Sequence, residues 1–212
     1  MNDLARVYQS FRHDGFGETL RRIAFRLFKI NRIFIYRMNL TGDLPDLPVP
    51  DGALVKEVNR DELTALRQGK TDLPSEFYRD ELGVNDRCFV CTICDELAFI
   101  CWIRTEGSDA LLKLGEREAE ATYAYCLPRF RGKGLHAVTL NLAAKHLKSE
   151  GLRALWGKVH DRNVPAMKNV LRAGFQMVGE KKRLGFFVWG NQFCTSAGES
   201  SLIDVGGAPR GK

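Results

Sequence analysis

The chain has no apolar run approaching the roughly 20 residues that a membrane-spanning helix needs. Its longest such stretch, from Leu97 to Ile103, is bounded by Glu96 and Arg104. An export signal of the usual form is also missing, because Asp3, Arg6, Arg12, His13 and Asp14 break up the N-terminal stretch. A cytoplasmic location is therefore expected. The 20 Gly and 7 Pro follow no period, which excludes a collagen-like chain. With 44% hydrophobic and 27% charged residues, disorder throughout is excluded as well. No internal repeat is present, and 212 residues leave room for one ordinary domain with an appendage but not for two full domains.

Cysteine is sparse, and the 6 present do not suggest a disulfide scaffold. Three of them fall as Cys88-x-x-Cys91-x-x-Cys94, a spacing that also occurs in iron-sulfur proteins. The intervening residues are β-branched and aromatic, which predicts a buried strand. On a strand Cys91 faces away from Cys88 and Cys94, so the three sulfurs cannot converge on one metal ion. Buried thiols without a metal are expected. Zinc-finger spacing, an RNA-recognition signature and a helix densely lined with Arg or Lys are all lacking, so no nucleic-acid partner is expected.

What the sequence does have is an uneven charge. Residues 1–40 carry a net +5, residues 41–127 a net −9 and residues 128–212 a net +10, which together make the overall +6. A basic C-terminal half beside an acidic middle suits a protein that meets a phosphate-bearing molecule on one side and an amine on another.

Residues 18–30 put Leu20, Ile23, Leu27 and Ile30 at helical spacing, with Arg22, Arg26 and Lys29 on another side, which predicts a basic amphipathic helix. A strand is expected at residues 33–36, and residues 39–50, with Gly42 and three prolines, read as a linker. Beyond it come a strand at 53–58, short helices at 61–68 and 75–82, and a hairpin formed by 88–94 and 97–104 that turns at Asp95 and Glu96. From residue 119 the order is regular: a strand at 119–127, a helix at 135–148 closed by Gly151, and a strand at 154–160. Asn163 then caps a helix that ends at Gly174, and strands follow at 175–179 and 186–189. The Ser-, Gly- and Ala-rich tail from residue 195 is expected to be disordered. This order predicts an α/β (α+β) sheet with helices on its faces. The organisation expected is an N-terminal helix and strand (1–40), a linker (41–52), a mixed α/β domain (53–194) and a tail (195–212).

Between the strand ending at Leu127 and the helix starting at Leu135 lies Pro128-Arg129-Phe130-Arg131-Gly132-Lys133-Gly134. Successive backbone N–H groups ahead of a helix N-terminus form an anion site, and the glycines admit a phosphate without a Cβ in its way. Arg129, Arg131 and Lys133 add formal charge. A P-loop is excluded, because Lys133 is followed by Gly134 where Ser or Thr is required. Gly132, Gly134 and Ala137 formally satisfy a dinucleotide fingerprint with Asp161 as ribose partner, and that reading stays open.

Arg129-x-x-Gly132-x-Gly134 has the form [QR]-x-x-G-x-[GA]. With the preceding Cys126-Leu127-Pro128 and the amphipathic helix behind it, the segment resembles the coenzyme A loop of the GNAT superfamily of acyl-CoA N-acyltransferases. Downstream, His160-Asp-Arg-Asn163-x-Pro-Ala166 and Leu171-Arg-Ala-Gly174-Phe175 resemble that superfamily's next block. The resemblance covers about residues 53 to 190.

The resemblance implies a mixed central sheet splayed between the strands at 119–127 and 154–160, with the pantetheine arm of acetyl-CoA or another acyl-CoA between them. It implies that backbone groups of Cys126 and Leu127 bond the arm, that Arg129, Arg131, Gly132, Lys133, Gly134, Leu135 and His136 hold the diphosphate, and that Asn163 belongs to the same cofactor site. No metal is implied. A backbone N–H near Cys126 and Leu127 would stabilise the oxyanion. Glu120 becomes the candidate base and Tyr125 a candidate proton donor, with Tyr123 and His136 as alternatives, because Val170 stands where the family often has an acidic Tyr. The implied acceptor is a small-molecule amine such as an amino sugar. A non-catalytic acyl-CoA-binding module, or an adaptor acting through residues 18–30 on a membrane surface or partner, stays open beside it, as does a homodimer.

Overall fold

The computed structural model describes residues 30–70, 72–82, 86–105, 111–184 and 187–190. The amphipathic segment at 18–29 and the tail from 195 lie outside them. Eight strands form one mixed sheet: β1 (Ile30–Asn39), β2 (Ala53–Val58), β3 (Arg87–Ile93), β4 (Glu96–Arg104), β5 (Glu118–Cys126), β6 (Ala154–His160), β7 (Gln176–Leu184) and β8 (Phe187–Trp189). Their spatial order is β2-β3-β4-β5-β6-β1-β7-β8. The helices are α1 (Arg60–Arg67), α2 (Leu135–Ser149) and α3 (Val164–Ala173), with a 3-10 segment at Ser75–Leu82. Among the described residues no helix is long and apolar enough to cross a membrane.

Local chemistry accounts for the boundaries. Asn59 and Glu62 form a reciprocal capping box at the start of α1. Asn163 accepts the Ala166 N–H at the start of α3, Pro165 sits in its first turn, and Gly174 ends it at a φ of +111°. Gly151 closes α2 by donating to the Lys148 carbonyl while Leu152 donates to Leu147. The β3-β4 hairpin turns at Cys94 and Asp95, one residue earlier than expected, because a tight hairpin needs positive φ at both central positions and these two residues adopt +48° and +63°. The 75–82 segment is 3-10 rather than α-helical, kinked at Tyr78.

β1 is inserted between β6 and β7 and pairs antiparallel with both. Residues 30–39 are thus an interior strand of the same sheet as residues 53–189, and the linker drawn at 41–52 does not separate two sheets. Asn141 ties that connection down: its side-chain amide, buried within α2, donates to the Pro45 carbonyl at 2.9 Å and the Ala173 carbonyl at 3.2 Å.

β3 and β4 are buried on both faces, which is why they read as nearly continuous apolar runs. Cys88, Cys91 and Cys101 belong to this core, and burial pushes the Cys91 thiol up to about 11 and the Cys101 thiol up to about 12. Cys94 is exposed in the hairpin turn.

Among the described residues only β5 and β6 run parallel, joined through α2, and their pairing stops at Ala121 and Gly157. Beyond that point β5 stays on β4, with Tyr125 opposite Ile100 and Cys126 opposite Phe99, whereas β6 stays on β1, with Val159 opposite Phe34. The two strands are pulled apart by their outer neighbours. A gap opens in the middle of the sheet.

Candidate active site

The gap is a cleft of about 300 Å³. Residues Gly157 and Val159 alternate with Lys158 and His160 along its β6 wall, so it is lined from both faces of the sheet. One face contributes His136 and Leu140 from α2 and Val170 from α3, and the other Glu120, Lys158 and Arg104.

The β5 wall is bulged. Trp102 lies opposite Thr122 but Ile100 lies opposite Tyr125, so β5 carries one residue more than β4 across this stretch. Tyr123 takes up the excess at a φ of +45°, a conformation unfavourable for a bulky side chain. The Arg79 guanidinium lies 3.3 Å over its ring and anchors it. The ladder is therefore interrupted where Thr122, Tyr123 and Ala124 line the cleft.

At one end of β5 the glycine loop runs into α2. Gly134 is the N-cap of that helix at a φ of +76°, which a glycine adopts without steric cost. A Cβ added there would lie 3.0 Å from the Arg172 guanidinium on α3. Arg172 thus brings a cation to the N-terminus of a helix of 15 residues, whose dipole favours an anion, with Arg131 and Lys133 in the loop that precedes it.

The other expected site residues divide into two groups. His136, in the first turn of α2, stacks on Phe99 with centroids 5.3 Å apart and lines the cleft. Burial pushes its imidazole down to about 4, so it is neutral at pH 7. Glu120, Asn163 and Val170 also line the cleft. By contrast, Arg129 pairs with Glu96 on the β3-β4 hairpin at 2.9 Å. Leu127 has committed its N–H to the Ala98 carbonyl at 2.9 Å, so the expected oxyanion donor is already satisfied there.

Tyr125 does not line the cleft, although Tyr123 and Ala124 do. Its ring packs edge-on against Phe77, and its hydroxyl accepts from Arg131 at 3.2 Å. Arg131 also donates to the Cys126 carbonyl at 3.2 Å. Burial raises the Cys126 thiol, which the neighbouring Arg131 partly offsets.

Glu120 is 2% exposed. The Lys158 ammonium lies 2.7 Å from one of its oxygens and the Arg104 guanidinium 3.7 Å from the other. Arg104 in turn lies 3.7 Å from Asp86, which also faces Arg79 at 3.7 Å. Lys158, Arg104 and Arg172 went unmarked in the sequence, since each becomes significant only through an element distant in the chain.

A family described as "Acetyltransferase (GNAT) family" matches residues 55–175. No curated sequence matches at a significant level. Among solved structures, an acetyltransferase of the GNAT family from Colwellia psychrerythraea is 17% identical with a TM-score of 0.53, over 83% of this chain and 62% of that one. A GCN5-related N-acetyltransferase from Sphaerobacter thermophilus is 13% identical with a TM-score of 0.52, over 78% of this chain and 55% of the other. A conserved protein of unknown function from Staphylococcus epidermidis is 13% identical with a TM-score of 0.51, over 79% of this chain and 66% of its own. The chain thus spans less than two thirds of the length of each, and at these identities the likeness concerns the fold.

Proposed function

The chain belongs to the acetyltransferase (GNAT) family, whose activity is acyl transfer from acyl-CoA, and from that premise we propose that it transfers an acetyl or other acyl group to a small-molecule amine through the gap between β5 and β6. The observation that carries this reading is the coincidence of three features along β5: the parting from β6 after Ala121, the bulge at Tyr123, and the glycine loop at the start of α2.

The diphosphate of coenzyme A would be held by the N–H groups of residues 132–136, with Arg131, Lys133 and Arg172 supplying charge. The pantetheine arm would then enter the gap along β5. Arg131 now covers the Cys126 carbonyl, and it has to swing outward for that carbonyl to meet the arm. This motion would also bring its guanidinium nearer the loop.

In the thioester step an amine attacks the carbonyl carbon, and negative charge develops on oxygen. The interrupted ladder at Tyr123 and Ala124 offers backbone N–H groups to that oxygen, a role in which fixed dipoles act without reorganisation. Glu120 is suited to receive the proton of the amine, because it lines the cleft and is buried. Val170 supplies no proton to the leaving thiolate. A thiol with an ordinary pKa of about 8.5 can leave as the anion, so the step is slowed rather than forbidden.

The alternative of a non-catalytic acyl-CoA-binding module draws support from Val170 and from the prior engagement of Glu120 by Lys158. Calorimetry with coenzyme A tests what both readings share. Saturable binding, lost in Gly134→Asp, is expected. Tight NAD binding with no coenzyme A heat would restore the dinucleotide reading.

A further inference from the structure

Lys158 occupies the place at Glu120 where an acceptor amine would have to stand. It is the residue of β6 that follows Gly157, the last to pair with β5, so its side chain emerges where the strands part. Its ammonium lies 2.7 Å from the Glu120 carboxylate, and both line the cleft together with Thr122, Tyr123 and Ala124 of the bulge. Arg104, 3.7 Å from the other carboxylate oxygen, holds Glu120 in position from behind. The lysine is largely enclosed, with 18% of its side chain exposed. An amine, a proton acceptor and an interrupted backbone ladder thus meet in one space.

We propose that Lys158 is a self-acylation site: with acyl-CoA bound, its side-chain nitrogen takes the acyl group. The proposal rests on the acyl-CoA reading above. The step balances as follows. Glu120 takes one proton from the ammonium, and the free amine attacks the thioester carbon. The C–S bond breaks as the N–C bond forms, and the nitrogen's second proton goes to the departing thiolate. The products are an Nζ-acyl lysine, free coenzyme A and a protonated Glu120, which returns its proton to solvent.

Two consequences distinguish this site from exposed lysines such as Lys56 and Lys148, which would react with acyl-CoA by simple collision. Acylation at Lys158 saturates with acyl-CoA concentration, because the donor is bound first. It also depends on Glu120, with which no exposed lysine forms an ion pair among the described residues. Once acylated, Lys158 carries no charge and Glu120 retains Arg104 as its cationic partner, so the modification alters the electrostatics of the acceptor side of the cleft.

The full chain is incubated with acetyl-CoA and followed by intact mass, with peptide mapping to locate the label and calorimetry on the same samples to measure coenzyme A binding. Addition of one acetyl group, mapped to Lys158, saturable in acetyl-CoA and absent in Lys158→Arg, is expected. Glu120→Gln, which keeps the side chain's shape, should slow labelling by roughly a hundred-fold, the usual scale for a lost general base. Circular dichroism confirms that both variants fold. Coenzyme A binding without any label, or label spread over exposed lysines equally in wild type and Lys158→Arg, overturns the proposal alone. Absence of coenzyme A binding overturns the acyl-CoA reading and the proposal with it.

Discussion

The Arg172 guanidinium of α3 stands 3.0 Å from the point where a Cβ on Gly134 would project, so the cap of α2 and the end of α3 share one cationic corner. An anion held at the α2 N-terminus would meet that corner. Arg172→Ala should weaken coenzyme A binding about fivefold, roughly 1 kcal/mol, the scale of an exposed ion pair. The loss should shrink as salt is raised, since screening removes the same contribution. Calorimetry at two ionic strengths checks both effects.

Arg129 and Arg131 should separate. Arg129 is engaged by Glu96 on the β3-β4 hairpin, whereas Arg131 lies over the Cys126 carbonyl on the path into the cleft. Arg129→Ala should change coenzyme A affinity less than about twofold, and Arg131→Ala should weaken it about fivefold or more. Equal losses in the two variants would contradict the view that Glu96 keeps Arg129 from the phosphates.

His136 makes stability depend on acid. Its folded-state imidazole titrates near 4, while the unfolded chain takes up its proton near 6.5, so the unfolded state binds more protons between these values. The stability contributed by the neutral, buried ring is complete above about pH 6.5 and is lost as pH falls toward 4, by up to about 3 kcal/mol. Denaturant unfolding at a series of pH values should show this slope, and His136→Phe should flatten it. Activity that rises or falls through pH 6 to 7 cannot then be assigned to His136.

Val170 is 4% exposed and lines the cleft, so Val170→Tyr would direct a phenol toward the position of the departing thiolate. A gain in kcat of ten- to a hundred-fold is expected where the hydroxyl reaches the sulfur. A rise in KM for acetyl-CoA with unchanged kcat would mean that the ring merely fills the arm's space. Steady-state kinetics distinguishes the two.

The second half of the fold was legible because its signals are local. Asn163, Pro165 and Gly174 mark the ends of α3, and the strand at 154–160 coincides with β6. The glycine loop was legible for the same reason. β1 read as part of an appendage because nothing within residues 33–36 reports that β6 and β7 will flank it. The bulge was invisible, because nothing within residues 119–127 reports the extra residue that β5 carries opposite β4 at Tyr123. Lys158 went unmarked, since nothing near it in the chain points to Glu120. Only the parting of β5 and β6 brings its ammonium against Glu120 inside the gap.

Release of free thiol from acetyl-CoA, measured over a panel of amines and amino sugars with hydrolysis subtracted, tests acyl transfer through the β5-β6 gap most directly. The expected result is acceptor-dependent thiol release that is abolished in Gly134→Asp and reduced by roughly a hundred-fold in Glu120→Gln. Coenzyme A binding with no release above hydrolysis for any acceptor would contradict it and leave the chain as a binding module.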